Sequence, residues 1–340
     1  MRLAILTSGG DCPGLNAVIR AVVRSATDRH QWECVGIKNG WKGAATGEFI
    51  PLPTYAVSGI LYRGGTILGT SRFNPLQDGE TTARVLENLT LHRINVVICV
   101  GGDGTLRASH EMTKLGVNVV GVPKTIDNDI AATDVTFGFQ TAVQIVTDAI
   151  DRLHTTAESH NRIMILETMG RNTGWIALCA GIAGGADMIL IPERPFSYDK
   201  ICTMLAERHK RKSFSIVVVA EGAYPEDGKA VTLGELDAFG RPRMGGIGYE
   251  LAHEIEKRLN IESRVTVLGY VQRGGTPVAY DRILATRFGV AAVEAAAEGK
   301  FDHFIALRGE DLIPVPIADG TGQTKMADPK LFEVAEVFFG

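Results

Sequence analysis

The chain has 340 residues, 45% hydrophobic and 22% charged, a balance that excludes disorder and leaves room for two cored domains. A net charge of −4 and a pI near 6.1 give no basic footprint for nucleic acid. The five cysteines (Cys12, Cys34, Cys99, Cys179, Cys202) are scattered without CxxC spacing, as reduced thiols of a cytoplasmic protein would be.

The first apolar run, residues 3–6, reads as a strand, and no secretory leader is expected before it. The glycine turn TSGGDCPG follows at 7–14, and Leu15, Val18, Ile19, Val22 and Val23 then recur at helical spacing. Strand, glycine turn and helix make a phosphate cradle: glycines let backbone N–H groups approach phosphate oxygens, and the helix adds its positive end. Gly9 and Gly10 are therefore candidate nucleotide contacts, with a tight ligand-free turn as the alternative. Arg20 and Arg24 stand one turn apart on the polar side of that helix, usually a solvated face. A strand at 33–38 leads into Gly40-Trp41-Lys42-Gly43, a loop whose tryptophan has simple packing as its default. The glycine-rich run RGGTILGTSRF at 63–73 ends in Arg72, whose planar fork matches two phosphate oxygens.

The centre of the chain is residues 94–129. Val96 to Val100 form an apolar run typical of a strand buried on both faces, and Gly101-Gly102-Asp103-Gly104-Thr105 follows before a helix at 106–115. A second β-branched run at 117–122 ends in Pro123-Lys124-Thr125-Ile126-Asp127-Asn128-Asp129. Both loops belong at the carboxyl edge of a parallel sheet, where open α/β sheets bind ligands. Asp103 is a poor direct partner for phosphate, and its presence makes sense with Mg²⁺ between them. Thr125, Asp127 and Asp129 have spacing two and in extended backbone would face one way. Two carboxylates so close should split their proton affinities, leaving one suited to taking a proton from a hydroxyl.

Beyond this, an amphipathic helix runs from 142 to about 160. A strand at 162–166 enters the turn Glu167-Thr168-Met169-Gly170-Arg171. Residues 175–191 are strongly apolar but broken by glycines and Asp187, so no membrane span is expected. Helices at 174–183 and 199–210 alternate with strands at 188–191 and 215–220, the last capped by Glu221. Residues 222–246 are polar and glycine-containing and read as a surface loop. A helix at 247–259, the stretch RVTVLGYVQRGG at 264–275, a helix at 281–298, a strand and a helix after Pro329 close the chain. This alternation predicts the α/β class, with two doubly wound, Rossmann-like three-layer domains.

GGDGT with PKTIDND about twenty residues later resembles the phosphofructokinases, which phosphorylate fructose 6-phosphate at its 1-hydroxyl. GGDGT alone is shared with NAD and lipid kinases, which leave TIDND, MGR and QRGG unexplained; a non-catalytic sugar-phosphate sensor is a further alternative. The resemblance covers nearly the whole chain and points to a subgroup with mixed ATP and pyrophosphate signatures. It implies an interleaved chain, with residues 1–138 plus 272–308 as the phosphoryl-donor domain and 139–271 plus 309–340 as the sugar-phosphate domain.

On the donor side the resemblance implies Gly9, Gly10, Arg72, Phe73, Gly102, Asp103, Gly104 and Thr105, with Trp41 beside the nucleotide base and Mg²⁺ at Asp103. Asp127 would be the base, Thr125 and Arg171 would hold the moving phosphoryl, Arg72 would neutralise the donor, and Asp129 would support the metal or the charge balance. The sugar phosphate would meet Thr125, Ile126, Asp127, Met169, Gly170, Arg171, Glu221, Arg264, Tyr270 and Arg273, with Arg162 reaching into a neighbouring subunit of a homotetramer or dimer. Tyr270 stands where bacterial ATP enzymes have histidine. In those enzymes arginines corresponding to Arg20 and Arg24 line an effector pocket, two of whose other anion-binding positions are altered here, to His154 and Phe214, so effector regulation is expected to be weak or different. Gly104 leaves room for the α-phosphate of ATP, whereas Lys124 matches the pyrophosphate-using branch. ATP is placed first and pyrophosphate second, since steric exclusion is harder to compensate than an added cation.

Overall fold

The computed structural model describes every residue except 229 and 237–241. Its strands in chain order are β1 (Arg2–Thr7), β2 (Glu33–Ile37), β3 (Phe49–Pro51), β4 (Val96–Gly101), β5 (Val119–Pro123), β6 (Ile163–Thr168), β7 (Met188–Leu190), β8 (Ser215–Ala220), β9 (Thr232–Leu236), β10 (Pro242–Met244), β11 (Ser263–Val267), β12 (His303–Arg308) and β13 (Asp311–Pro316). The helices are α1 (Leu15–His30), α2 (Trp41–Thr46), α3 (Gly79–Leu91), α4 (Asp103–Lys114), α5 (Phe139–His160), α6 (Trp175–Ala183), α7 (Tyr198–His209), α8 (Ile247–Leu259), α9 (Ala279–Ala297), α10 (Ile317–Gly320) and α11 (Pro329–Glu336). Strand and helix alternate, and the fold is α/β. Two compact units result, Met1–Thr141 with Arg273–Thr324 and Ala142–Gln272 with Lys325–Gly340.

The first unit holds a seven-stranded sheet in the order β13-β12-β5-β4-β1-β2-β3, parallel except for the edge strands β3 and β13. Its inner strands read as unbroken apolar runs because both faces are covered. Ala4, Leu6, Val97 and Cys99 pack with Trp41, Val85, Leu89 and Met112 from α2, α3 and α4. The alternate residues Leu3, Ile5 and Ile98 are equally buried. Helices α1 and α9 pack closely at Gly289, where a Cβ would lie 2.9 Å from the Val18 carbonyl. Residues 309–324, expected in the sugar-phosphate domain, belong to this unit instead. β13 pairs with β12 from His303↔Pro316 to Arg308↔Asp311, and Thr324 bridges to Ile130.

The second unit is built on a four-stranded parallel sheet, β11-β6-β8-β7. Ile163, Ile165, Val217 and Val219 meet Ile201 and Leu205 of α7 and Leu251 and Ile255 of α8. The segment read as a surface loop contains an antiparallel pair, with Leu236 opposite Pro242 and Thr232 opposite Met244; part of it, 229 and 237–241, lies outside the described residues. Buried Glu167 accepts hydrogen bonds from the Gly246 and Gly248 amides at 3.2 and 2.8 Å, holding the start of α8. The C-terminal segment is fixed by Trp175 Nε1 donating to the Lys325 carbonyl at 2.9 Å and by the Ala327 amide donating to Glu193 at 2.8 Å.

Among the described residues no helix is long and apolar enough to cross a membrane. All five cysteines are unpaired, and burial pushes Cys99 up to about 12 and Cys34 and Cys179 to about 11, so these three thiols stay protonated.

Candidate active site

Strands β1, β4 and β5 are neighbours, and their register aligns Thr7 with Val100 and Gly101 with Pro123. The turns that leave their carboxyl ends therefore emerge side by side. Gly9 has φ +84°, a left-handed conformation open to glycine, and a Cβ there would sit 3.5 Å from Thr105 Oγ1 and 3.6 Å from Lys124 Nζ. Lys124 is only 3% exposed, and its ammonium donates to the Gly10 carbonyl. The Arg72 loop is strapped to the same turn: Thr70 Oγ1 donates to the Gly9 carbonyl at 2.7 Å, and the Gly9 amide donates to the Ser71 carbonyl at 2.9 Å. Asn16, which the sequence reading did not single out, clamps that loop to α1. Its side chain donates to the Arg63 and Gly64 carbonyls and accepts from the Ile67 amide at 2.9 Å.

Helix α4 begins at Asp103, one turn earlier than expected, so Asp103, Gly104 and Thr105 occupy its first turn at the positive end of the helix. Asp103 Oδ1 accepts from the Gly322 amide at 2.8 Å, a contact with no sequence signal. A Cβ at Gly104 would meet nothing within 4 Å.

Along the acidic loop, burial alternates: Lys124, Ile126, Asn128 and Ile130 are buried, while Thr125, Asp127 and Asp129 are half-buried. The backbone is not extended throughout, because Asn128 has φ +52°. Thr125 Oγ1 accepts from the Asp127 amide at 3.1 Å. Burial raises the Asp127 carboxyl above its ordinary range despite the opposing charges of Arg273 and Lys124. Burial, together with the charges of Asp127 and Asp103, pushes Asp129 up to about 6. Both acids rise, and the charge of Asp127 is one cause of the rise at Asp129. Burial also lowers Lys124, helped by the like charge of Arg273. Asp103, Asp127, Asp129, Lys124 and Arg273 thus form one interacting charge cluster at the carboxyl edge of the sheet.

Arg273 stands at the glycine turn. Its guanidinium donates to the Asp11 carbonyl at 3.2 Å and occupies the space a Gly10 Cβ would need, 2.6 Å away. The sequence reading gave this side chain to the sugar phosphate; its guanidinium lies against the glycine turn of the donor-side loop. Trp41 is a correction. It opens α2, is 0% exposed and packs in the sheet core, so its ring cannot meet a nucleotide base. Phe73 is half-buried against the same cluster, and Arg72 is exposed.

In the second unit, Met169, Gly170, Arg171 and Glu221 come together. The Gly222 amide donates to the Gly170 carbonyl at 3.0 Å, the Glu221 amide to the Thr168 carbonyl at 2.8 Å, and a Cβ at Gly222 would collide with the Arg171 carbonyl at 2.0 Å. Arg162 Nε pairs with Glu262 at 2.7 Å, and Arg264 pairs with the same carboxylate. Tyr270 is 71% exposed on the short turn Gly269–Arg273. His154 Nε2 donates to the Gly184 carbonyl at 2.8 Å, with the Phe214 ring edge-on to the His154 imidazole at 6.3 Å.

Among the described residues no cluster of three or more acidic, histidine or cysteine side chains forms a ready metal cage. Mg²⁺ does not need one, since it retains waters and binds through one or two carboxylates plus substrate phosphates. Asp103, beside open space in a helix's first turn, suits that mode.

A family model described as phosphofructokinase matches residues 2–296. The chain is 54% identical to the pyrophosphate–fructose 6-phosphate 1-phosphotransferase of Amycolatopsis methanolica, covering 100% of both. It is 52% identical to ATP-dependent 6-phosphofructokinase 3 of Streptomyces coelicolor, covering 99% of both. The fold superimposes on Pichia pastoris phosphofructokinase in the T-state with a TM-score of 0.85 and 30% identity, over 99% of this chain and 36% of that longer one. The chain belongs to the phosphofructokinase family and is a phosphotransferase.

Proposed function

We propose that this chain is a 6-phosphofructokinase that transfers the γ-phosphoryl group of ATP to the 1-hydroxyl of fructose 6-phosphate. The observation that carries the reaction is Asp127: a half-buried carboxylate with raised proton affinity, set beside Lys124 and Arg273 at the glycine turns. Asp127 takes the proton of the sugar O1–H as the O1–Pγ bond forms and the bond from Pγ to the β,γ-bridging oxygen breaks, leaving ADP. Arg72 and Lys124 neutralise the donor oxygens, Thr125 orients the loop and meets the moving group, and Asp129 balances its charge. Asp103 would hold Mg²⁺, which would supply further charge neutralisation on the donor phosphates. In the second unit Met169, Gly170, Arg171 and Glu221 are proposed sugar-phosphate contacts, together with Tyr270. Arg162 and Arg264 are proposed to serve the sugar site of a neighbouring subunit in a homotetramer or dimer.

The donor follows from Gly104, whose side faces empty space, so nothing there excludes an α-phosphate. Pyrophosphate is the second reading, favoured by the buried Lys124 ammonium under the glycine turn. Relatives of either donor type stand at 54% and 52% identity, so similarity does not separate them. Purified protein assayed with fructose 6-phosphate, Mg²⁺ and each donor in turn is expected to turn over ATP; turnover with pyrophosphate alone would overturn the donor. Asp127→Asn is expected to lower kcat by about 10²–10⁴ with little change in KM. Near-normal turnover in that variant would remove Asp127 as the base.

A further inference from the structure

We infer that Asn128, which contributes no group to the proposed chemistry, is the positioning residue that holds the acidic loop in its working shape, through Thr136. The inference rests on the reading of Asp127 as the base.

Asn128 lies on the buried side of the loop, between Ile126 and Ile130, and is only 2% exposed. A polar side chain in an apolar row costs free energy unless its hydrogen bonds are made. Its Oδ1 accepts from the Thr136 amide at 3.1 Å and lies 3.5 Å from Thr136 Oγ1. That hydroxyl donates to the Thr125 carbonyl at 2.8 Å. Thr136 therefore grips both ends of the loop, the backbone at 125 and the side chain at 128. Thr136 is itself 0% exposed, and its neighbour Phe137 is locked in the core of the first unit. Phe137 bridges to Lys124, packs against Phe288 with ring centroids 6.2 Å apart, and closes on Gly14.

The left-handed backbone at Asn128 explains why the row is not completed by another isoleucine. A β-branched residue is strained at φ +52°, whereas asparagine tolerates it. The turn at 128 leaves Thr125, Asp127 and Asp129 on the less buried side of the loop, with Thr125 Oγ1 accepting from the Asp127 amide. Releasing the pin leaves all three side chains present but free to drift, and a drift of an ångström at a reacting carboxylate lowers kcat more than it weakens binding.

The test compares Asn128→Gly, Thr136→Val and Thr136→Ser with the wild type, each checked for an unchanged circular dichroism spectrum and a thermal midpoint above the assay temperature. Asn128→Gly allows the same left-handed backbone and removes the acceptor together with the rest of the carboxamide; its kcat is expected to fall about ten- to hundredfold. KM for both substrates should stay within about twofold. Thr136→Val should behave alike, Thr136→Ser should restore turnover, and the double variant Asn128→Gly/Thr136→Val should lose less than the product of the two single losses. Wild-type kcat in Asn128→Gly, a matching rise in KM, or a Thr136→Ser as impaired as Thr136→Val would each overturn the inference. Should Asn128→Gly fail to fold, the two Thr136 variants decide the matter alone. Wild type that phosphorylates fructose 6-phosphate with neither donor would sink the functional reading instead, a result distinguishable from any of these.

Discussion

Gly104 sits as the second residue of α4, with empty space where a side chain would go. An aspartate there is sterically free and favourable in a helix's first turn, so Gly104→Asp should fold as well as wild type. Its charge would project into the space claimed for the α-phosphate, and ATP turnover should fall by about 10²-fold or more, on the scale of several kcal/mol of like-charge repulsion in a partly buried site. Pyrophosphate, lacking an α-phosphate and ribose, should be spared, and steady-state assays with both donors check this. At this scale the sequence was most legible in the placing of the loops that carry Asp103, Lys124 and Asp127, which leave neighbouring strands side by side as expected. It was least so for Trp41, whose glycine neighbours suggest a loop although the ring fills the sheet core. Asn128 was hidden for a different reason: its partner Thr136 lies on another segment, and a left-handed turn leaves no periodic mark.

Elements show the same division. The buried strands announced themselves as apolar runs, whereas α4 gained a turn because glycine and aspartate begin helices readily when the sheet positions them. Helix α3 was not read at all, although its cap is spelled out. Asp78 accepts from the Thr81 amide at 2.7 Å and its hydroxyl at 3.1 Å. The Thr81 amide is the main cause holding the Asp78 carboxyl below its ordinary value of 3.8, with the Thr81 hydroxyl adding to it. Because the folded value is depressed, this cap stabilises the fold above the unfolded carboxyl's pKa and the contribution is lost as pH falls through the folded one. Asp78→Ala should therefore be less stable than wild type at neutral pH, and the gap should close below about pH 4. Urea denaturation of the two proteins across that range checks it; a gap independent of pH would mean that the carboxylate is not the source.

At the scale of the whole molecule, composition and alternation foretold the α/β class, but not the allegiance of residues 309–324. β13 is a short edge strand with prolines and mostly exposed residues, and only its pairing with β12 assigns it. The C-terminal segment is committed the other way: α11 buries Phe332 and Ala335 in the second unit. Truncation after Thr324 should cost the second unit at least the ~1.5–3 kcal/mol of one buried phenylalanine. Two units need not unfold in one step. In variants that keep a single tryptophan, the Trp175 signal should lose its midpoint stability on truncation while the Trp41 signal, from the core of the first unit, stays where it was. Equal losses at both probes would contradict this division.

The polypeptide passes from one unit to the other three times, after residues 141, 272 and 324. On a translating ribosome, β12 emerges later than every strand of the four-stranded sheet, so β5 waits with a naked parallel edge until the second unit's strands have all been made. A gene cut after residue 141 or 272 would part β12 and β13 from the other five strands, and only both halves together could then close the seven-stranded sheet.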